Sequence, residues 1–303
     1  MVELEGKVVL VTGGGNGIGR ESALALARAG ASVLVNDVGG NIQGVGSSVG
    51  PAQQVAEEIQ AFGGRAAHNC DSVVSLDAVR GMVEQARDLF GGLHAIVHPA
   101  GINRPAPLRE MGEEDWNLVI DTHLRSAFNV ARASLQLFLD QNDGAYVFFT
   151  STAGIYGEEL LANYAAAKSG VIAINKVLTL ETAGTAIRTN VIAPHAWTRM
   201  LELYSEQTGA TAESTAMLRD RMRADQVATL VVALCSPRTK ATGQVFGARG
   251  NEVMVFSEPL SARSIADSNG WTPEALVEQG LPALAPGFTS VTPSSARHLY
   301  PPI

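Results

Sequence analysis

Cysteine is nearly missing from this chain: its 303 residues include two, Cys70 and Cys235. Neither stands at metal-ligand spacing from a second Cys or a His, so a disulfide scaffold and a zinc module are both excluded, and both thiols are expected as reduced core residues. Charge is scarce as well, at 17% of residues against about 25% in an average soluble protein, which predicts buried subunit contacts. The 22 Lys and Arg are outnumbered by 30 Asp and Glu, and the net charge of −8 repels phosphate backbones, so no nucleic acid partner is expected. Long hydrophobic runs are absent too. The longest apolar helical stretch, Ala165 to Leu180, is interrupted by Lys168 and Lys176, which argues against a membrane span. The first residues lack the basic start and apolar stretch of a signal peptide, so a cytoplasmic protein is expected.

What is present is a rhythm. Short β-branched runs alternate with longer Ala-rich helical stretches from residue 7 to about 247, the pattern of a parallel sheet covered on both faces. The predicted strands are Lys7 to Thr12, Ser32 to Asn36, Arg65 to Asn69, Ala95 to His98, Ala145 to Thr150, Arg188 to Ala193 and Gln244 to Phe246. The expected α/β fold is a single doubly wound Rossmann domain over residues 1–256, with a seven-stranded parallel sheet. The Gly- and Ser-rich connection from Val38 to Pro51 reads as a mobile surface excursion, and residues 195–224 occupy a natural lid position. Residues 257–303 form a Pro-rich C-terminal extension, too short to fold alone, that docks on its own domain or on a partner subunit.

Directly after the first strand stands Thr12-Gly13-Gly14-Gly15-Asn16-Gly17-Ile18-Gly19, leading into an Ala-rich helix. Glycines here let the backbone turn sharply and approach a pyrophosphate, whose charge then meets the positive end of the helix. Twenty residues on, the second strand ends at Asp37, where a carboxylate accepts hydrogen bonds from ribose hydroxyls and repels a 2′-phosphate; NAD is therefore expected rather than NADP. The alternative for Asp37 is a solvated turn residue. Asp71, after the third strand, is a candidate for the adenine amino group or a helix cap. Ala100-Gly101 lets the backbone pass close to the nicotinamide ribose.

The chemistry falls at Tyr164 and Lys168, four apart in a helical segment and so on one face. A Tyr with a pKa near 10 is a poor base, and a Lys ammonium about 4 Å away offers roughly 4 kcal/mol to lower it. Such a pair alone is common on helix surfaces. Ser151, at the end of the fifth strand, changes its meaning, because strand end and helix then converge on one substrate oxygen. Ser151 as a plain turn residue is the alternative, and Thr150 and Thr152 flank it.

Together the glycine turn, Asp37, Ser151 and the Tyr164/Lys168 pair resemble the short-chain dehydrogenase/reductase family over roughly residues 4 to 250. Within it, Val35-Asn36-Asp37-Val38-Gly39-Gly40, Asp71-Ser72-Val73, His123-Leu124-Arg125 and Gly154-Ile155-Tyr156-Gly157 look like the hydroxyacyl-CoA dehydrogenase branch. The resemblance implies catalytic roles for Ser151, Tyr164 and Lys168. It implies cofactor contacts for Gly13, Asn16, Gly17, Ile18, Gly19, Asp37, Asp71, Ser72, Ala100, Gly101, Pro194 and Thr198, shared with Tyr164 and Lys168, and no metal. It further implies a homodimer or homotetramer. The expected reaction joins a secondary alcohol and a ketone by hydride transfer, with a 3-hydroxyacyl-CoA-type substrate first and a steroid or other bulky alcohol second. A dinucleotide sensor without catalysis is the reading from another class. Three positions depart from the family pattern. His98-Pro99 replaces Asn-Asn, so the sheet contact there must differ; His123 stands where most members place an Asn of the proton relay, as a relay or as a core His; and His195 replaces a Gly, with Trp197 nearby.

Overall fold

The computed structural model describes residues 4–199, 201–202, 211–268 and 270–296. Their strands are β1 (Val8–Thr12), β2 (Ser32–Asn36), β3 (Arg65–Asn69), β4 (Ala95–His98), β5 (Gly144–Phe149), β6 (Ile187–His195), β7 (Val245–Arg249) and β8 (Glu252–Phe256), in the order β3-β2-β1-β4-β5-β6-β7-β8. Every residue of β1, β2, β4 and β5 is buried, because helices cover both faces and leave no solvated side. On one face pack α1 (Gly17–Arg28), α2 (Gly50–Ala61) and α9 (Ala224–Cys235), through Leu24, Val55, Ile59 and Val231. On the other pack α3 (Leu76–Phe90), α5 (Ser126–Gln141) and α7 (Ala162–Glu181), through Val79, Met82, Phe138 and Val171.

The sheet has eight strands rather than the seven expected, and the eighth is antiparallel, pairing Arg249 with Glu252 and Val245 with Phe256. Gly250, with φ +58°, opens a two-residue turn that reverses the chain. Beyond it, Val253 and Val255 face out while Met254 packs against Gly247. This alternation marks an edge strand, and the expected α/β rhythm hid it. Cys70 is a second correction: it is exposed, in the loop after β3, whereas Cys235 is buried as expected.

The long connection after β2 is exposed along much of its length and is tied to the segment after β4. Ile42 O accepts from Asn103 N at 2.9 Å, Gln43 O accepts from Arg104 Nε at 2.9 Å, and Arg104 is paired with Asp115 at 2.6 Å. In the lid region, α8 (Ala212–Arg221) is present and Trp197 carries the Arg219 guanidinium 5.4 Å above its ring. Met200 and residues 203–210 of the expected lid lie outside the described residues. The C-terminal extension contains a helical run made of Pro273–Ala275, Leu276–Gly280 and Leu281–Leu284, and it returns to the domain near the end of β5. There Glu158 accepts from Ser294 Oγ, Ser295 N and Ser295 Oγ, and Ser294 N donates to Gly157 O at 3.0 Å. No helix among the described residues is long and apolar enough to cross a membrane.

Candidate active site

In a doubly wound sheet the strand order reverses between β1 and β4, and the crevice beyond their carboxyl ends is where a ligand can enter. The glycine turn occupies that place. Gly13 and Gly17 have φ of +58° and +52°; a Cβ on Gly13 would lie 2.7 Å from Ala100 Cα, and one on Gly19 would lie 2.0 Å from Gly13 O. Side chains are thus excluded where β1 turns into α1. Asn16 precedes that helix in an extended conformation without a side-chain cap, and the first turn holds no acidic residue, so the helix end keeps its N–H groups for a ligand. Ile18 is in the first turn of α1, and Thr198 lies against Gly17, its Cγ2 3.5 Å from where a Cβ would be. Pro194 is in β6, opposite Ala248.

Asp37 is built into this turn. Its Oδ2 accepts from Gly15 N at 2.9 Å and its Oδ1 from Gly39 N at 2.7 Å. One acceptor position on each oxygen is thereby used and the carboxylate is fixed in direction. Asp71 is exposed in the loop after β3, and Ser72 Oγ accepts from Val74 N at 3.3 Å as a turn residue.

On the far side of β4, three elements bring Ser151, Tyr164 and Lys168 together. Ser151 lies two residues beyond β5 and caps α6 (Thr152–Tyr156) by accepting from Ala153 N at 3.2 Å. A Cβ on Gly154 would be 2.7 Å from Lys168 Cβ, so glycine there lets α6 sit against α7. Thr150 Oγ1 donates to Lys168 O at 2.8 Å, a tie between strand end and helix. Asn163 Oδ1 accepts from Tyr164 N at 2.7 Å while Nδ2 donates to the carbonyls of Arg104 and Asp115. The Ser151 hydroxyl is near enough to the Tyr164 phenol to lower its pKa. Lys168 is buried, donates from Nζ to Phe149 O at 2.9 Å, and sits 5.5 Å from the centre of the Tyr164 ring.

The electrostatics of this cluster correct one sequence expectation. Burial pushes the Tyr164 phenol up to about 12, and the nearby Ser151 hydroxyl offsets part of that. Lys168 does not lower it in the chain alone, because burial also pushes the ammonium down to about 7.

His123 lies in a π-helical turn, Asp121–Arg125, between α4 (Glu113–Ile120) and α5. Its ring meets that of Tyr164 edge-on at 5.1 Å, and its Nε2 lies 2.8 Å from Ile102 O and 3.1 Å from Ile102 N. Burial, followed by the Lys168 charge, holds it well below the usual His range, so it is neutral. Its Nδ1 is buried with no hydrogen-bond partner among the described residues. Gly101 makes this possible: a Cβ there would be 2.2 Å from His123 Cε1.

His98 ends β4 just before Pro99, and its side chain supplies the altered sheet contact. Nδ1 is 2.7 Å from Thr12 Oγ1 and Nε2 is 2.8 Å from Ser126 Oγ, which joins the glycine turn to the start of α5. Burial, then the Lys168 charge, pushes this imidazole down to about 3. The bracing by Ser126, Asn163 and the contact of Glu158 with the C-terminal extension had no signal in the sequence. Each joins distant segments through a single polar side chain. Among the described residues, no group of His, Cys, Asp and Glu could hold a metal ion.

A sequence model of the short chain dehydrogenase family matches residues 7–208. The chain belongs to that family. It is 36% identical over 277 residues to peroxisomal multifunctional enzyme type 2 of Mus musculus, an alignment that covers 91% of this chain but only 36% of the mouse enzyme. It is also 36% identical to the hydroxyacyl-CoA dehydrogenase ChsB1 of Mycobacterium tuberculosis, with 90% of this chain and 87% of that one covered. Among solved structures, a short chain dehydrogenase from Mycobacterium avium superposes with a TM-score of 0.82 at 31% identity, covering 96% and 98% of the two chains. The family assignment makes the chain an oxidoreductase with a Rossmann-like fold.

Proposed function

We propose that the chain is an NAD-dependent dehydrogenase that interconverts a secondary alcohol and a ketone, with a 3-hydroxyacyl thioester as its substrate class. The meeting of Tyr164, Ser151 and Lys168 beside the glycine turn carries this reading.

The residues fit a dinucleotide. Gly13, Gly17 and Gly19 leave room that a Cβ would fill, and the uncapped start of α1 at Asn16 and Ile18 suits a pyrophosphate. Asp37 keeps acceptor capacity for ribose hydroxyls while its charge disfavours a 2′-phosphate, which supports NAD over NADP. Asp71, Ser72, Ala100, Gly101, Pro194 and Thr198 complete the proposed contacts. Bound nicotinamide supplies the acceptor or donor of a hydride.

Ser151 holds the substrate oxygen by its hydroxyl, and Tyr164 takes the alcohol proton in oxidation or returns it in reduction. Because burial favours the protonated phenol, Tyr164 depends on positive charge brought close to it, and Lys168 is fixed nearby by Phe149 O for that purpose. His123 is neutral and its buried Nδ1 makes no hydrogen bond among the described residues, which leaves that ring nitrogen for a water in a proton relay.

The name of one relative, hydroxyacyl-CoA dehydrogenase, supports the thioester class. The test is reduction of NAD against a panel of 3-hydroxyacyl-CoAs, steroids and simple secondary alcohols. The thioesters should show the highest kcat/KM, and turnover of steroids alone would overturn the substrate assignment. Exposed Phe128 and Leu139 on α5 and Val177 and Leu180 on α7 support a homodimer or homotetramer, which light scattering checks. The reading also places the chain in the cytoplasm with no nucleic acid partner. Imaging of a tagged chain checks the location against the peroxisomes named for several relatives.

A further inference from the structure

The side chain of Asn69, the last residue of β3, uses its full hydrogen-bonding capacity. Oδ1 accepts from Asn36 Nδ2 and from Asp71 N, both at 2.9 Å. Nδ2 donates to Asp71 Oδ2 at 3.0 Å and to Gln85 Oε1 at 2.9 Å. Its backbone carbonyl also accepts from Asp37 N at 3.1 Å. Two acceptor and two donor sites at this reach are an asparagine's capacity; Ser, His and Asp cannot supply both pairs.

The surroundings give this hub a direction. Asn36 Nδ2 also donates to Asp71 O at 2.9 Å, so the loop bearing Asp71 is tied to the strand that ends at Asp37. Gln85, on α3, donates to His68 O at 3.1 Å and is therefore itself fixed. Asp71 is exposed, and its carboxylate is held through Oδ2, while Oδ1 takes no protein hydrogen bond among the described residues. An exposed carboxylate oriented through one oxygen, next to a ribose-binding carboxylate, suits an N–H donor on the base attached to that ribose. The exocyclic amino group of adenine is such a donor.

We propose that Asn69 is a positioning residue for adenine recognition: it orients the Asp71 carboxylate so that Oδ1 accepts from the 6-amino group of the cofactor. This rests on the dinucleotide reading above and on Asp71 as the adenine contact. Asn69 acts through Asp71 and does not touch the ligand.

The test compares dissociation constants for NAD and for its hypoxanthine analogue, in which a carbonyl oxygen replaces the 6-amino group. They are measured by calorimetry on the full chain, on Asp71→Ala, and on two variants of Asn69. Asn69→Ala removes the whole hub. Asn69→Asp keeps the acceptor for Asn36 and Asp71 N, and so the brace between strands, but sets a second carboxylate against Asp71 Oδ2. The expected wild-type preference for NAD is about tenfold, as for one hydrogen bond to a charged group. Asp71→Ala should abolish it. Both Asn69 variants should reduce it at least about threefold, through weaker NAD binding, with the affinity for the analogue held within about twofold. A double change of Asn69 and Asp71 should add nothing to Asp71→Ala.

Equal weakening of both dinucleotides, or an intact preference in Asn69→Asp, would show that Asn69 only braces the strands and would overturn the proposal. If Asp71→Ala keeps the wild-type preference, the adenine contact itself is wrong and the proposal falls with it. If neither dinucleotide binds the wild-type chain, the dinucleotide reading is what has failed.

Discussion

Replacing Lys168 with Met should stabilise the protein while disabling it. Burial lowers the Lys168 pKa from 10.5 to about 7, so at pH 7 the fold bears a desolvation cost of about 4 kcal/mol for this group. Methionine fills nearly the same space without charge but leaves Phe149 O without its 2.9 Å donor, at a cost of about 1–3 kcal/mol. The net gain is about 1–3 kcal/mol at pH 7, which raises the unfolding midpoint by roughly 2–6 °C for a chain of this size. The sign depends on pH in a defined way. The folded pKa lies below the unfolded one, so the unfolded chain binds more protons between about pH 7 and 10.5, and wild-type stability rises through that window. Lys168→Met lacks the group and lacks this rise; its advantage should shrink as pH increases and reverse between about pH 8 and 10, where the remaining desolvation cost falls below that of the lost hydrogen bond. Thermal unfolding followed by circular dichroism from pH 6 to 10.5 measures the crossing, and alcohol oxidation by the variant should fall by about 100-fold or more. A variant less stable than wild type by the same amount at every pH would refute the buried-charge reasoning.

Two further outcomes are expected. Asp37→Ala should lower kcat/KM with NAD and shift the NAD-to-NADP ratio toward NADP by about tenfold or more, since it removes both the ribose acceptor and a charge that repels a 2′-phosphate. Steady-state kinetics with both cofactors check it, and an unchanged ratio would mean that Asp37 is only a turn residue. Gly101→Ala should destabilise the fold by about 1–3 kcal/mol and depress activity, because the new methyl lies 2.2 Å from His123 Cε1 and the imidazole must move. Denaturant unfolding and turnover are the readouts; a variant that loses stability with full turnover would take His123 out of the mechanism.

Most of the sheet was legible because the strands buried on both faces, β1, β2, β4 and β5, read as short apolar runs. β2, β3 and β4 fall where the sequence places them, and the ends of the others differ by a few residues. β8 escaped because it is antiparallel and follows β7 through a two-residue turn at Gly250, so the Val- and Phe-bearing run Glu252–Phe256 falls outside the strand–helix rhythm by which the others were read. The placement of the glycine turn after β1 and the nearness of Lys168 to Tyr164 were legible, because a strand end and one helix turn fix those spacings. The direction of the Tyr164 shift was not, since it depends on how much water the fold removes around the phenol. Bridges such as Thr12 to His98 to Ser126, and Glu158 to Ser294 and Ser295, join segments far apart in the chain, and sequence periodicity carries no trace of them.

Tyr164 is the group proposed to move the proton of a secondary alcohol. The most direct test of that role is single-turnover reduction of NAD by a 3-hydroxyacyl-CoA with wild-type protein and with Tyr164→Phe, a change that removes one hydroxyl. The variant should fold and bind NAD as wild type does while the rate of the chemical step falls by about 100-fold to 10,000-fold. Full turnover by Tyr164→Phe would contradict it.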